Sequence, residues 1–275
     1  MSLDYISYHV LLFSPYFADR ANHLEGKTQF GISLNQIMEV GDDFEVVLIP
    51  HEYLEASSLD SSAKAFQELR LQALQTDPAS FTSSYTIESQ QPLSFWINRL
   101  RNPRAKTFAL IKRCSEVQSY QVPGYTPQRP WVGMLVLLGP KAVDPDAFDN
   151  ASSWKVVTAE SSPPSEAPQS GKIRSQTFPA SSTLAYTIVA VYIAPEARGK
   201  RLAKKLMTSA LVAIEQNLAQ RGSNKAICTI AVAKNLVAAR KTYESMGFAA
   251  VAEDHATADD GWEFHGWVMQ KDLTV

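Results

Sequence analysis

The chain has 275 residues, of which 45% are hydrophobic, and a formal net charge of −2. This length and composition predict a folded protein with a full hydrophobic core and exclude a disordered tail. The balanced charge, with a pI near 6.2, excludes bulk attraction to nucleic acid, so any anion site has to be local.

The cysteines and the N-terminal composition indicate the cellular compartment in which the protein is expected. Cys114 and Cys228 lie in apolar, strand-like segments without C-x-x-C or His-x-x-x-His spacing, which predicts free buried thiols and no zinc site. The apolar stretch at residues 5–17 follows Asp4 and lacks a basic region, so we predict no signal peptide. No continuous transmembrane run is present, and the expected location is the cytoplasm, with the nucleus as the alternative.

The N-terminal part predicts an extension, a strand and two helices. Residues 1–43 form the extension, and the β-branched run Phe44–Ile49 is the first core strand. A first helix is predicted from Ser61 or Ser62 to about residue 75, where an Asp-Pro pair stops it. A second helix spans residues 93–100, since its apolar residues recur at i, i+3, i+4 and i+7.

The middle of the chain predicts two strands and an insertion. The apolar runs 107–112 and 131–138 are expected to form a central hairpin. Between about 140 and 182, prolines and serines replace large apolar residues, and residues 159–173 are the best candidate for disorder. We interpret this segment as a solvated insertion between the third and fourth core strands, with a functional lid as the alternative.

The most informative segment is 187–218, where an apolar β-rich run breaks at Pro195 into a basic turn that opens a long amphipathic helix. The first-turn amides of a helix have no intrahelical partner, and the macrodipole adds partial positive charge. The turn therefore predicts an anion site held mainly by backbone. A solvated basic face is the competing interpretation. The basic residues are Arg198, Lys200, Arg201, Lys204 and Lys205.

A second motif follows at residues 235–248, NLVAARKTYESMGF. It predicts a short helix with Asn235 as its N-cap and Gly247 in the left-handed position that ends it. Closing strands are predicted at 248–253 and 262–271, joined by the acidic, flexible loop DHATADDG.

These two motifs, in this order, resemble those of the GNAT superfamily of N-acetyltransferases. The family's acetyl-CoA-binding pattern is a hydrophobic strand, a proline and then Q/R-x-x-G-x-G/A. Residues 198–203 read RGKRLA, so Arg201 stands where the pattern has its middle glycine. The second motif is similar to the family's N…A…Y-x-x-x-G-F.

The resemblance implies an α/β (α+β) fold for residues 44–275. Its centre is a mixed, mostly antiparallel, twisted sheet of six to seven strands flanked by about four helices. It also implies acetyl-CoA as cosubstrate, no metal, and a small-molecule or peptide amine as acceptor for a monomer or homodimer that binds neither nucleic acid nor membrane. The implied cosubstrate-binding residues are Val191, Tyr192, Ile193, Arg198, Gly199, Lys200, Arg201, Leu202, Ala203, Lys204 and Asn235.

Tyr243 is the implied catalytic residue, as the acid that protonates the CoA thiolate. Its ordinary pKa near 10 keeps it protonated at neutral pH. A plain packing role is the alternative.

The base that accepts the amine proton is not identified by the sequence. The predicted fourth strand, TLAYTIVAVYI, contains no carboxylate or histidine. By position alone, Glu88, Glu263 and His265 are candidates, and an ordinary polar role is the alternative for each.

The acceptor and the function class also stay open. Three aromatic residues, Tyr85, Trp96 and Tyr186, suggest a partly aromatic acceptor wall. One alternative function is a catalytically silent acyl-CoA-binding module. A nucleotide-phosphate-binding protein is disfavoured, because the chain has neither G-x-x-x-x-G-K-[ST] nor G-x-G-x-x-G.

Overall fold

A computed structural model describes residues 43–50, 56–113, 129–144, 157, 182–257 and 263–275. Seven strands in these ranges form one sheet, in the order β1-β2-β3-β4-β5-β7-β6. The strands are β1 (Phe44–Ile49), β2 (Ala105–Lys112), β3 (Trp131–Val143), β4 (Thr183–Ile193), β5 (Lys225–Ala233), β6 (Ala249–Thr257) and β7 (Glu263–Thr274).

Five α-helices accompany these strands in the described part of the chain: α1 (Ala56–Thr76), α2 (Tyr85–Glu88), α3 (Leu93–Arg101), α4 (Leu202–Arg221) and α5 (Val237–Glu244). None of them has the length and apolarity needed to cross a lipid bilayer. The prediction that Ser61 or Ser62 caps α1 is wrong. The helix begins earlier, and the Ser62 hydroxyl donates to the Ser58 carbonyl one turn back, at 2.6 Å, as a serine inside a helix does.

Strand pairing confirms the predicted mixed, mostly antiparallel sheet. The β2–β3 hairpin pairing is antiparallel, as expected from the sequence. The one parallel pair among the described strands is β4–β5, and α4 makes the crossover between them. This places the strand–turn–helix segment at the centre of the sheet.

Helices cover the sheet on both faces, which explains why β2 and β3 are buried over most of their length. On one face, α1 and α3 pack through residues such as Phe66 and Trp96. On the other, α4 packs through residues such as Leu206 and Ile214, and Tyr243 of α5 joins the same cluster. Each face thus carries its own hydrophobic core.

Several predictions fall outside the described residues. These include residues 1–42 of the extension, Cys114, and nearly all of the segment between β3 and β4. Val157 is described within that segment; it is buried, and its carbonyl accepts a bond from the Arg104 guanidinium at 3.2 Å. The domain division stays a prediction. Cys228 is a buried free thiol, as expected.

Candidate active site

A bulge in β4 shapes the candidate site. Between Val189 and Tyr192, β4 advances three residues while β3 advances two, and Ala190 adopts a φ of 55°. Because of the extra residue, side chains after the bulge point to the opposite face of the sheet from the one that strict alternation predicts. Ile188 and then Val191 therefore pack on the α4 side, whereas Tyr192 packs on the α1 side.

Next to this bulge the sheet opens. Pairing of β4 with β5 ends at Ile188 and Ile230, although β4 continues to Ile193 and β5 to Ala233. Beyond that point each strand keeps its other neighbour, β3 or β7. Backbone groups of β4 after the bulge therefore line a gap between two strands, where an extended ligand can hydrogen-bond to them.

The turn after β4 leads directly to the N-terminus of α4. Gly199 has a φ of 80° and Arg201, the N-cap, a φ of 58°. The first intrahelical bond goes from the Lys205 amide to the Arg201 carbonyl, so the amides of residues 202–204 precede the helical ladder. With no acidic residue in the first turn of α4, this end of the helix suits an anion.

Arg201 occupies a conformation that glycine adopts freely. The left-handed region costs an L-residue about 1–2 kcal/mol. Arg201 therefore differs from the family pattern in its side chain only, because its backbone keeps the left-handed conformation that glycine adopts freely. The side chain of Arg201 is exposed.

Three of the five predicted basic side chains are held by other residues of the chain. The Arg198 guanidinium pairs with Asp77 and donates to the Ile193 carbonyl at 3.0 Å. Two lysines reach back to Phe44. The Lys200 ammonium lies 4.9 Å from its ring, and the Lys205 ammonium donates to its carbonyl at 2.7 Å. These side chains fix the turn against β1 and the end of α1.

Tyr243 lies on α5 in the hydrophobic cluster shared with α4, and it is 7% exposed. Burial raises the pKa of Tyr243. Its hydroxyl therefore stays protonated at neutral pH and has a proton to donate. Gly247 ends the helix with a φ of 87°, as predicted, and the Phe248 amide donates to the Tyr243 carbonyl at 3.1 Å.

Asn235 does not cap α5. The helix begins at Val237 with Leu236 as N-cap, and the exposed Asn235 accepts a bond from the Val237 amide through its backbone carbonyl. The predicted cap is therefore wrong by one residue. The role of Asn235 in binding the cosubstrate stays a prediction.

The opposite face carries a buried ionic cluster made of Arg70, Glu88 and Arg99. The carboxylate of Glu88, at the end of α2, accepts bonds from Arg70 of α1 (2.7 and 3.1 Å) and from Arg99 of α3 (3.1 Å). Burial alone raises the pKa of Glu88, but the two guanidinium groups outweigh it and hold the pKa well below its usual range. Glu88 is therefore unsuited to act as a base.

Two further expectations need correction. Tyr186 does not share an aromatic wall with Trp96, because Tyr186 packs on the α4 face and donates to Asn217 at 2.7 Å, whereas Trp96 packs with α1. The acidic loop DHATADDG is shorter than predicted, since β6 extends to Thr257. Glu263 and His265, the remaining base candidates, are both exposed on β7.

No local sequence pattern predicts the bulge or the ionic cluster. Alanine has no local preference for positive φ, so its presence at position 190 does not predict the left-handed conformation that it adopts in the bulge. Arg70 and Glu88 are 18 residues apart, so their pairing depends on how the helices pack.

Comparison with known proteins gives a family match and several structural similarities. Residues 167–250 match the acetyltransferase (GNAT) domain family. No curated protein is significantly similar to the chain in sequence.

Three solved structures illustrate the structural similarities. Arabidopsis thaliana NAA60 in complex with a bisubstrate analogue is 12% identical, with a TM-score of 0.47 over 84% of this chain and 100% of that one. The putative acetyltransferase yncA from Salmonella typhimurium, with its cofactor acetyl-CoA, is 13% identical, with a TM-score of 0.45 over 85% and 96%. A ribosomal-protein-alanine N-acetyltransferase from Brucella melitensis is 13% identical, with a TM-score of 0.44 over 78% and 96%.

Proposed function

We propose that this chain, whose residues 167–250 match the acetyltransferase (GNAT) domain family, is an acetyl-CoA-dependent N-acetyltransferase acting on a primary amine. The observation that carries the proposal is the succession along the chain of a gap after Ile188 and a helix N-terminus at the start of α4. An extended thiol ester with a phosphate end matches these two features, because one offers strand backbone and the other helix amides.

The chain's own residues fit such a cosubstrate at both ends. A Cβ added at Gly199 meets no atom within 4 Å, so the turn that leads into α4 is open at this position. Lys204, in the first turn of α4, and the exposed Arg201 add positive charge there. Along β4, residues 191–193 offer backbone groups to the rest of the molecule. When bound, acetyl-CoA supplies a thioester-activated acetyl group.

In the proposed mechanism the amine attacks directly in a ternary complex. An amide of β4 beside the bulge donates to the oxygen that gains charge during transfer, and one such preorganised donor is typically worth about 3–4 kcal/mol. The Tyr243 hydroxyl gives its proton to the departing thiolate sulfur. Burial raises the pKa of Tyr243, so the hydroxyl carries its proton at neutral pH and can donate a hydrogen bond to the sulfur as negative charge develops there.

The acceptor has to arrive as a neutral amine. Glu88 is excluded as its base by its pairing with Arg70 and Arg99, and β4 itself contains no carboxylate or histidine. We therefore propose that water carries the amine proton away. The acceptor class stays open among small polyamines or arylalkylamines, amino acids, peptide N-termini and protein lysines.

The absence of a carboxylate or histidine from β4 favours a second candidate, a catalytically silent acyl-CoA-binding module. A protein without a base next to the acceptor can bind the cosubstrate without turning it over. A panel of amines with acetyl-CoA and detection of free thiol distinguishes the two, since only an enzyme releases CoA in step with amine acetylation.

Cosubstrate binding is tested by calorimetric titration of acetyl-CoA into the full chain at low salt. Gly199→Pro is expected to weaken binding, because proline cannot adopt a φ of 80°. Gly222→Pro is the matched control, since Gly222 has a φ of 67° at the other end of α4. Absence of binding below millimolar concentration, or equal losses in both variants with retained helical circular dichroism, would refute the proposed site.

A further inference from the structure

Two imidazoles and a carboxylate meet near the end of the β6–β7 pair at which Thr257 pairs with Glu263. His255 of β6 and His265 of β7 are direct partners across the antiparallel pair, and Glu263 lies two residues before His265 on the same face. All three side chains are exposed. The imidazole rings lie 4.2 Å apart, centroid to centroid, and are tilted by 31°.

The spacing of these groups matches what a tetrahedral cation needs. Ligand atoms about 2.0–2.1 Å from a tetrahedral metal ion lie about 3.4 Å from one another. His265 Nε2 and Glu263 Oε2 are 3.3 Å apart, and one ligand atom from each of the three residues lies within 4.8 Å of the others. The His255 ring therefore has to move by little more than about 1.4 Å, which rotation of an exposed side chain supplies.

We propose that His255, His265 and Glu263 form a surface site for a divalent transition cation of the zinc type, with water completing its coordination. Imidazole together with carboxylate suits Zn²⁺, Ni²⁺ or Cu²⁺, whereas Mg²⁺ and Ca²⁺ prefer ligand sets made only of oxygen. The carboxylate of Glu263 and the ring of His265 already face each other across 3.3 Å, so a cation bound between them contacts both groups.

This site adjoins the turn that leads into α5. The Lys234 amide donates to the His265 carbonyl at 2.9 Å, and its ammonium pairs with Glu253 at 2.7 Å and lies 4.9 Å from the Trp267 ring. Two cations therefore lie near the Trp267 ring, Lys234 and Arg240, and each is paired with a carboxylate, Glu253 or Glu244. A bound ion that links β6 to β7 therefore also restrains β7, whose His265 carbonyl accepts the bond from the Lys234 amide of this turn.

The test is titration of Zn²⁺ into the full chain above pH 7, because metal binding competes with protons for the same ligand atoms. His255→Gln and His265→Gln are each expected to weaken the tightest binding step at least about tenfold, since loss of a supporting outer partner alone costs that much. His51→Gln, which removes a histidine from outside this cluster, serves as the matched control. Mg²⁺ is expected to bind much more weakly.

A second readout separates this site from binding to cysteines or to the unfolded chain. Zn²⁺ that binds the folded protein raises its melting temperature, and this rise is expected to disappear in both His variants and to persist in His51→Gln. All these variants keep Cys114 and Cys228. Unchanged Zn²⁺ affinity in either His255→Gln or His265→Gln, or no Zn²⁺ binding by the parent chain, overturns the proposal.

Discussion

The two faces of the sheet position their functional groups by different means. The cosubstrate part of the candidate site, which leads to the N-terminus of α4, is formed mainly by backbone: a bulge at Ala190, a gap beyond Ile188 and a turn with positive φ at Gly199 and Arg201. On the α1–α3 face, the three helices are tied together by side chains, through the two guanidinium groups that meet the carboxylate of Glu88.

This difference predicts different responses to substitution. A site made of backbone tolerates most changes of side chain, provided that the backbone conformation survives, and its residues affect binding or chemistry more than stability. A buried ionic cluster is sensitive to loss of any one member, because the remaining charges stay buried without a partner. The predictions below test this contrast from the largest expected effect to the smallest.

The largest effect is expected for Tyr243→Phe, which should lower kcat about 100- to 10,000-fold and leave acetyl-CoA affinity nearly unchanged. The substitution removes a hydroxyl whose proposed partner is the departing thiolate, while the ring keeps its contact with Phe248. Steady-state kinetics under conditions where chemistry is rate-limiting measure the change. Unfolding in urea should show at most a small loss of stability.

Tyr186→Phe is the matched control, since it removes a hydroxyl from another buried tyrosine on the same face. It should destabilise the protein by about 1 kcal/mol, through loss of the bond to Asn217, and leave kcat unchanged. If Tyr243→Phe lowers kcat less than threefold, Tyr243 is a packing residue only.

On the other face, Glu88→Gln should lower the free energy of unfolding by about 3–5 kcal/mol, because the guanidinium groups of Arg70 and Arg99 lose their counter-charge inside the protein. Urea unfolding followed by circular dichroism measures this loss. Glu244→Gln is the control. It breaks an exposed pair with Arg240 four residues away along the chain and should cost only about 0.3–0.5 kcal/mol. Similar losses in the two variants would show that the buried cluster has no special role.

The same cluster predicts a pH dependence. The folded-state pKa of Glu88 is lowered, so its stabilisation is fully present above the unfolded-state value near 4.3 and is lost as the pH falls toward the folded value. The difference in unfolding free energy between the parent and Glu88→Gln should therefore be constant from pH 7 to about 5 and shrink at lower pH. The expected slope reaches about 1.4 kcal/mol per pH unit. A difference that does not change down to pH 3 would contradict the assignment.

The contrast between the faces also explains which features the sequence predicts. The strands, the C-terminal ends of α1 and α5 and the turn before α4 follow from local patterns, as Gly247 and the basic run after Pro195 show. The starts of α1 and α5 do not. The bulge at Ala190 does not, because alanine carries no local preference for positive φ and the sheet imposes that conformation.

Side-chain clusters were missed for a related reason. Position along the chain makes Glu88 a base candidate, yet its partners lie on two other helices and the pairing depends on tertiary packing. The sequence predicts a flexible loop around His255, and only the extension of β6 to Thr257 brings this residue opposite His265. Sequence patterns of period 2 or 3.6 contain no information about such contacts between elements.

The smallest effect concerns Arg201, where a left-handed backbone conformation is combined with a long side chain. Arg201→Gly should raise the free energy of unfolding by about 0.5–1 kcal/mol, because the relief of a cost of about 1–2 kcal/mol exceeds the entropy that glycine adds to the unfolded chain. Lys200→Gly, one residue earlier, should be destabilising, since it adds the same entropy and loses the contact with Phe44. Thermal or urea unfolding of both variants measures this contrast.

Affinity then tells whether the Arg201 side chain contributes to binding. If its guanidinium contacts a CoA phosphate, Arg201→Gly gains stability but loses affinity. That loss is larger for CoA than for dephospho-CoA when the partner is the 3′-phosphate, and equal for both when it is the pyrophosphate. Unchanged affinity for both ligands would show that the side chain points to solvent and that the backbone alone forms the anion site. A loss of stability in Arg201→Gly would instead contradict the left-handed conformation at this position.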